Sequence, residues 1–344
     1  MAEKKLRVAV VGIGGIGRGH VQSALDAEEA ELAAMCDPLG EEVKKVLVDY
    51  NVDIERLSGI QVYKDFDEML DKVQLDVIVI SSPDVTHCPY SVKAMDRGIS
   101  VMCEKPLAIS DEEAAEMMEA SRRNNVHFFA GQICRFAPAF AKAKEMIDEG
   151  IIGKVFCTEA QYVHGCHANL PEDNWRKVNP RPATSCGGCH AIDIVRYFMG
   201  DPDEVFAYGN RFCRTDWVVE DCSETLMHYA DGRIGKVLTT LGCVAEYSMR
   251  TVIYGTKGTI TVNNTSNIVS YFTSETNKTM EIEVPVSTHN CLAEMNEVCD
   301  EILHGRKARH DGIEGAKTLL VCDAAIRSIS SGIVEKLDYS KLNG

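Results

Sequence analysis

The chain has 344 residues with 36 Lys and Arg against 52 Asp and Glu, a formal net charge of −16. So acidic a chain lacks the basic face needed to wrap a phosphate backbone or lie on an anionic membrane, so nucleic acid and membrane partners are not expected. The length suggests two domains, and 45% hydrophobic with 26% charged residues is ordinary globular composition with material for a full core.

Leu6 to Val11 (LRVAVV) is a continuous apolar run, the signature of a strand buried on both faces of a parallel sheet. It enters Gly12-Ile13-Gly14-Gly15-Ile16-Gly17, after which Arg18 to Glu29 is compatible with a helix. Apolar runs follow at Glu31 to Cys36, Ile60 to Tyr63, Leu75 to Ser81, Ile99 to Cys103 and Val126 to Ala130, with helix-compatible segments such as Asp111 to Asn124 between them. That alternation predicts an α/β fold with a doubly wound parallel sheet. Past a helical Pro138 to Glu149 the texture changes to Val-, Thr- and Tyr-rich segments: Lys154 to His164, Glu204 to Phe212, Thr225 to Tyr229, Ile234 to Thr240, Arg250 to Tyr254 and Thr259 to Val262. Turn dipeptides such as Asp231-Gly232 and Lys257-Gly258 join them, which predicts antiparallel strands. Helices are expected at His190 to Met199, Cys291 to His304 and Ile313 to Ser330. The division reads as 1–130 for the first domain and 131–344 for the second, with the C-terminal helices able to pack back on the first.

Gly12, Gly14 and Gly17 carry the G-x-G-x-x-G spacing between a strand and a helix. The first permits a tight turn, the second lets the backbone approach a pyrophosphate, and the third lets helix and strand pack closely. Gly15 and Ile16 complete the loop. Asp37 ends the next strand, where a carboxylate accepts both ribose hydroxyls and repels a 2′-phosphate; Pro38, Leu39 and Gly40 bring no cation after it. NAD is therefore expected over NADP.

Two further segments stand at the carboxyl ends of predicted strands, where open α/β sheets bind ligands: Ser82-Pro83-Asp84-Val85-Thr86-His87 and Glu104-Lys105-Pro106. With the glycine loop they resemble the Gfo/Idh/MocA family of nicotinamide-dependent oxidoreductases. The resemblance continues at Gly131 to Pro138 (GQICRFAP), at Gly150 to Val155 (GIIGKV) and at Gly188-Cys189-His190-Ala191-Ile192-Asp193 with Arg196 to Gly200 (RYFMG), nearly the whole chain. It implies an N-terminal Rossmann domain, a C-terminal domain on a large, mostly antiparallel sheet, and a catalytic centre between them. It also implies cofactor contacts from Ser82, Pro83, His87, Glu104 and Lys105, a peptide before Pro106 that is often cis, and association as a homodimer or homotetramer through the open face of the large sheet.

By the same resemblance, Lys105 reaches the reacting hydroxyl, His190 is the acid/base residue, and Asp193 is the accompanying acid, orienting the histidine or stabilising its helix. Oxidising a secondary alcohol requires a base near neutral pH and a cation beside the developing alkoxide, which suits both residue types. One departure is Cys186, which stands where many members carry an acidic residue four positions ahead of the histidine. Substrate contacts are expected from Lys105, Arg135, His164, His167, Trp175, Arg176 and His190.

Fourteen cysteines lie scattered in apolar runs and read as reduced thiols, which with the absence of a signal h-region points to the cytoplasm. Cys186-Gly187-Gly188-Cys189 stands alone as a C-x-x-C, without a second pair at finger-like spacing, so no metal is expected. Three readings follow. The first is an NAD-dependent dehydrogenase of a neutral sugar, glycoside or polyol. The second is a glycosidase using NAD for transient ring oxidation and elimination, and the third a non-catalytic nucleotide-sensing regulator.

Overall fold

A computed structural model describes residues 4–50, 52–165, 175–178 and 180–342; of Trp175 it describes the backbone alone. The chain divides into two units, the first formed by residues up to Ile133 together with Asn290–Ala316, the second by Cys134–His289 and Lys317–Asn343.

In the first unit the elements are β1 (Leu6–Val11), α1 (Gly17–Asp26), β2 (Ala30–Cys36), α2 (Val43–Val48), β3 (Gln61–Tyr63), α3 (Phe66–Lys72), β4 (Val77–Ile80), α4 (His87–Met95), β5 (Ser100–Cys103), α5 (Asp111–Asn124) and β6 (Phe128–Ala130). The six strands pair in parallel in the order β3-β2-β1-β4-β5-β6. The order reverses between β1 and β4, so the loops after these strands flank the switch point where such sheets bind ligands. Val8, Val10, Val77, Val79 and Met102 of the sheet share one core cluster with Val21 of α1. Local chemistry sets the helix ends: the Ser110 hydroxyl accepts the Glu113 N–H at 3.3 Å to open α5, and Asn125 in the left-handed region (φ 49°) closes it.

The second unit contains α6 (Pro138–Asp148), β7 (Val155–Val163), the one-turn α7 (Trp175–Val178) and α8 (Ala183–Cys186), then α9 (Gly188–Met199), β8 (Glu204–Asn210), β9 (Cys222–His228), β10 (Ile234–Thr240), β11 (Thr251–Gly255), β12 (Gly258–Val262), β13 (Ile268–Thr273) and β14 (Lys278–Glu283). α10 (Cys291–His304) belongs to the first unit, α11 (Gly312–Ser331) begins there, and β15 (Glu335–Lys336) completes the second. The nine-stranded sheet runs β14-β13-β12-β11-β7-β10-β9-β8-β15. Its pairs are antiparallel except β7 with β10, which is parallel, because α9 and a β-hairpin intervene between them in the chain.

β13 and β14 are strands that the sequence reading did not place. They form one edge of the sheet, β14 has no buried side chain, and its apolar alternation is confined to Met280 and Ile282, a short signal. No disulfide joins cysteines among the described residues, and most of these thiols are buried. No helix among those residues is long and apolar enough to cross a membrane.

Candidate active site

The glycine loop separates into two kinds of position. A Cβ at Gly12 (φ +82°) would stand 2.5 Å from the backbone of Ser82, and one at Gly17 only 2.0 Å from the Gly12 carbonyl oxygen, so the protein's own packing fixes both. A Cβ at Gly14 or Gly15 would meet nothing within 4 Å. Open space above a bare backbone, beside the start of α1 at Gly17, is the cradle a pyrophosphate needs. Asp37 follows β2, its Oδ2 accepting the Ile13 N–H at 2.8 Å and its Oδ1 the Leu39 N–H at 3.0 Å. Two backbone donors thus hold this carboxylate at the loop, and the residues present fit a dinucleotide with a free ribose 2′-hydroxyl.

The segments after β4 and β5 are tied together. The His87 ring lies with Nε2 2.9 Å from the Ser82 carbonyl oxygen and Nδ1 2.8 Å from that of Pro106. Ser82 Oγ meets Thr86 Oγ1 at 2.6 Å, Pro83 precedes the short 3-10 turn Asp84–Thr86, and the Lys105–Pro106 peptide is cis. Glu104 is buried; its Oε1 lies 2.8 Å from His20 Nε2 and its Oε2 accepts the Lys105 N–H at 3.1 Å. Burial alone would raise this carboxyl, but the His20 hydrogen bond and charge, with Lys105, outweigh it and hold Glu104 below its ordinary range. The half-buried Lys105 therefore follows a fixed anion.

In the second unit, two glycines bring α9 down onto the sheet. A Cβ at Gly187 would stand 2.4 Å from the Tyr162 ring on β7, and one at Gly188 2.4 Å from Thr239 Oγ1 on β10. His190, in the first turn of α9, is consequently stacked on Tyr162, with ring centroids 5.7 Å apart and planes 20° from parallel. The Tyr162 hydroxyl is 3.3 Å from His164 Nδ1, and Tyr247 packs against both, at 5.7 and 4.5 Å between centroids. Imidazole and phenol groups on an aromatic wall suit a hydroxylated ring. Tyr247 lies between β10 and β11 in no motif, and only its tertiary placement singles it out.

Arg135 and Asp193, read separately from the sequence, meet each other. The Arg135 guanidinium donates to both Asp193 oxygens, Nε at 2.8 Å and Nη2 at 2.7 Å, with each side chain 3% exposed. The Thr318 hydroxyl also donates to Asp193 Oδ1 at 2.9 Å and receives Arg196 Nη1 at 2.7 Å. Arg176 lies on α7, half-buried; His167 falls outside the described residues, as does the side chain of Trp175. Cys189 Sγ sits 3.7 Å from the Cys186 carbonyl oxygen, and among the described residues neither belongs to a three-residue group of metal-ligand type.

A doubly wound sheet with this glycine loop, joined to a unit built on a large open sheet, defines a dinucleotide-binding oxidoreductase of two domains. A family model described as an oxidoreductase family with an NAD-binding Rossmann fold matches residues 6–132, and one described as the GFO/IDH/MocA C-terminal domain matches residues 140–261. The chain belongs to the Gfo/Idh/MocA family, and its cofactor is NAD. Among its relatives, a 2,7-anhydro-N-acetylneuraminate hydratase of Mediterraneibacter gnavus is 27% identical over 270 residues, 76% of this chain and 68% of that protein. A myo-inositol 2-dehydrogenase of Thermotoga maritima is 24% identical over 347 residues, 97% of this chain and 99% of that one. In fold, the chain is similar to a levoglucosan dehydrogenase solved with NADH and levoglucosan, with a TM-score of 0.85 at 20% identity, covering 97% of this chain and 100% of that one.

Proposed function

We propose that the protein interconverts a secondary hydroxyl and the corresponding ketone on a neutral sugar, glycoside or polyol. The observation that carries this reading is His190, held on the Tyr162 face beside His164 and Tyr247. Bound NAD supplies the hydride acceptor. His190 takes the hydroxyl proton, and the Lys105 ammonium stabilises the negative charge that develops on oxygen. Asp193 acts as a positioning residue: its ion pair with Arg135 fixes α9 and with it the imidazole. Ser82, Pro83, His87 and Glu104 shape the loops on the cofactor side, with His87 bracing one against the other. Few cations are placed by motif near these residues, which favours a neutral substrate over a sugar phosphate.

A second reading is carried by the hydratase relative, whose name describes a reaction without net redox change. On this reading bound NAD would supply hydride storage without net consumption, and transient oxidation of the ring would acidify the neighbouring C–H and permit elimination.

Incubating the enzyme with NAD and a panel of free sugars, inositols and glycosides separates the two. NADH absorbance should accumulate with a neutral hydroxylated substrate, and His190→Asn should cut kcat about 10²- to 10⁴-fold. Product formed without NADH accumulation would establish the second reading, and no turnover across the panel would count against both.

We further propose self-association through the exposed face of the nine-stranded sheet. The strand register places Tyr208, Leu226, Ile234 and Phe272 on one face, each at least 40% exposed. Apolar side chains in such an array are unusual on a monomer. Light scattering should give the mass of a dimer or tetramer; a monomer at micromolar concentration would exclude the association.

A further inference from the structure

A second polar cluster lies inside the first unit. α10 presents Cys291 and Glu294 one turn apart on a shared face, α1 presents His20, and Glu104 stands just past the end of β5. All four are buried, His20 and Glu294 completely. One ligand atom from each of His20, Cys291 and Glu294 lies within 4.8 Å of the other two. His20 Nδ1 and both carboxyl oxygens of Glu294 have no hydrogen-bond partner. Buried polar atoms nearly always find one, so three orphans in a single cluster require an explanation. The surrounding backbone also makes room: a Cβ at Gly19 would stand 2.9 Å from Cys291 Sγ, and one at Gly131 3.1 Å from Glu104 Oε1.

We propose that His20 Nδ1, Cys291 Sγ and the Glu294 carboxylate bind one divalent transition-metal ion of the zinc class. One nitrogen, one sulfur and one oxygen donor form a set that zinc accepts. Glu104 already occupies the outer position expected around a metal-bound imidazole. A carboxylate only accepts, so Nε2 of His20 carries the hydrogen towards Glu104, and Nδ1 is the ring atom left to ligate. Bonds of about 2.0 to 2.3 Å place tetrahedral ligand atoms about 3.5 Å apart, and atoms already within 4.8 Å of one another need at most roughly an ångström of contraction to reach that. Burial and the neighbouring Glu104 push the Glu294 carboxyl up from its ordinary range, and burial pushes up the Cys291 thiol. A dication held by one thiolate, one carboxylate and one neutral imidazole leaves these four partners with no net charge in the closed pocket. The ion's role is structural: it ties α1, the helix of the glycine loop, to α10 and, through His20 and Glu104, to the residue preceding Lys105.

The test uses the full-length protein, purified without chelator for metal analysis and then stripped and titrated with Zn²⁺ and with Co²⁺. We expect one equivalent of either ion, a thiolate-to-cobalt charge-transfer band, and a zinc-dependent rise in melting temperature. Cys291→Ser and Glu294→Gln should each abolish the rise and weaken zinc binding by more than about 100-fold, beyond what loss of an outer partner costs. Cys186→Ser should bind as the wild type. No uptake by the wild type, unchanged uptake by either ligand variant, or loss of the cobalt band in Cys186→Ser would each overturn the site. Should Cys291→Ser not fold, Glu294→Gln with its circular dichroism intact decides the matter.

Discussion

Exchanging Lys105 for Met is expected to lower kcat about 10²- to 10³-fold, the loss measured when one preorganised donor to a developing oxyanion is removed, about 3 to 4 kcal/mol. Met keeps the length and the apolar stem while deleting the charge. Met at this position still offers the backbone N–H that Glu104 accepts, so that contact survives the substitution. Glu104 is itself pinned by His20, so the substitution leaves the next layer in place. Steady-state kinetics and NAD titration on the same preparation separate the effects. A fall in kcat with little change in KM marks charge stabilisation confined to the transition state. Weakened NAD binding alone would make Lys105 a cofactor contact, and unchanged turnover would remove it from the reaction and revive the nucleotide-sensing reading.

How far the sequence foretold this site depends on the range of the interaction involved. β1, β10, α5 and α10 begin and end at the residues the pattern predicts, because each is a sustained apolar run or periodic segment closed by a local signal. The glycine loop was legible for a similar reason, since the left-handed turn at Gly12, the approach of Gly17 to the Gly12 carbonyl and the open cradle at Gly14 and Gly15 are backbone demands met within six residues; the contact of Gly12 with Ser82 is the long-range one. What could not be read is long-range. The Arg135–Asp193 pair spans 58 residues and His20 with Glu104 spans 84, and each member taken singly looks like an ordinary core or helix-face residue. The parallel β7–β10 pairing was hidden too, because turn dipeptides report only on hairpins. Gly187 and Gly188 lie in between: they stood within a family-like segment, but their physical reason, the Tyr162 ring and Thr239, lies on two other strands.

Replacing Asp193 by Leu is expected to destabilise the second unit by about 3 to 5 kcal/mol, the usual cost of removing one member of a buried ion pair. Arg135 would lose both of its bonds to Asp193 while its side chain remains 3% exposed, with the Tyr197 ring 5.0 Å from its guanidinium carbon. Arg196, 3.8 Å from Asp193, is less affected because Asp201 also holds it. A chain of two units need not unfold in one step, so the quantity to follow is the transition assigned to the second unit. The double variant Arg135→Met with Asp193→Leu should recover most of the loss, because apolar replacement of both partners removes the desolvation penalty along with the attraction. Asp193→Asn then distinguishes strut from catalyst. It keeps the shape and an acceptor for Thr318 but drops the charge, so a positioning role predicts lower stability with an unchanged shape of the kcat–pH profile. If Asp193 instead tuned His190 directly, Asn would move the acid limb of that profile at nearly wild-type stability, and α9 would have to be redrawn with the carboxylate serving the imidazole rather than Arg135.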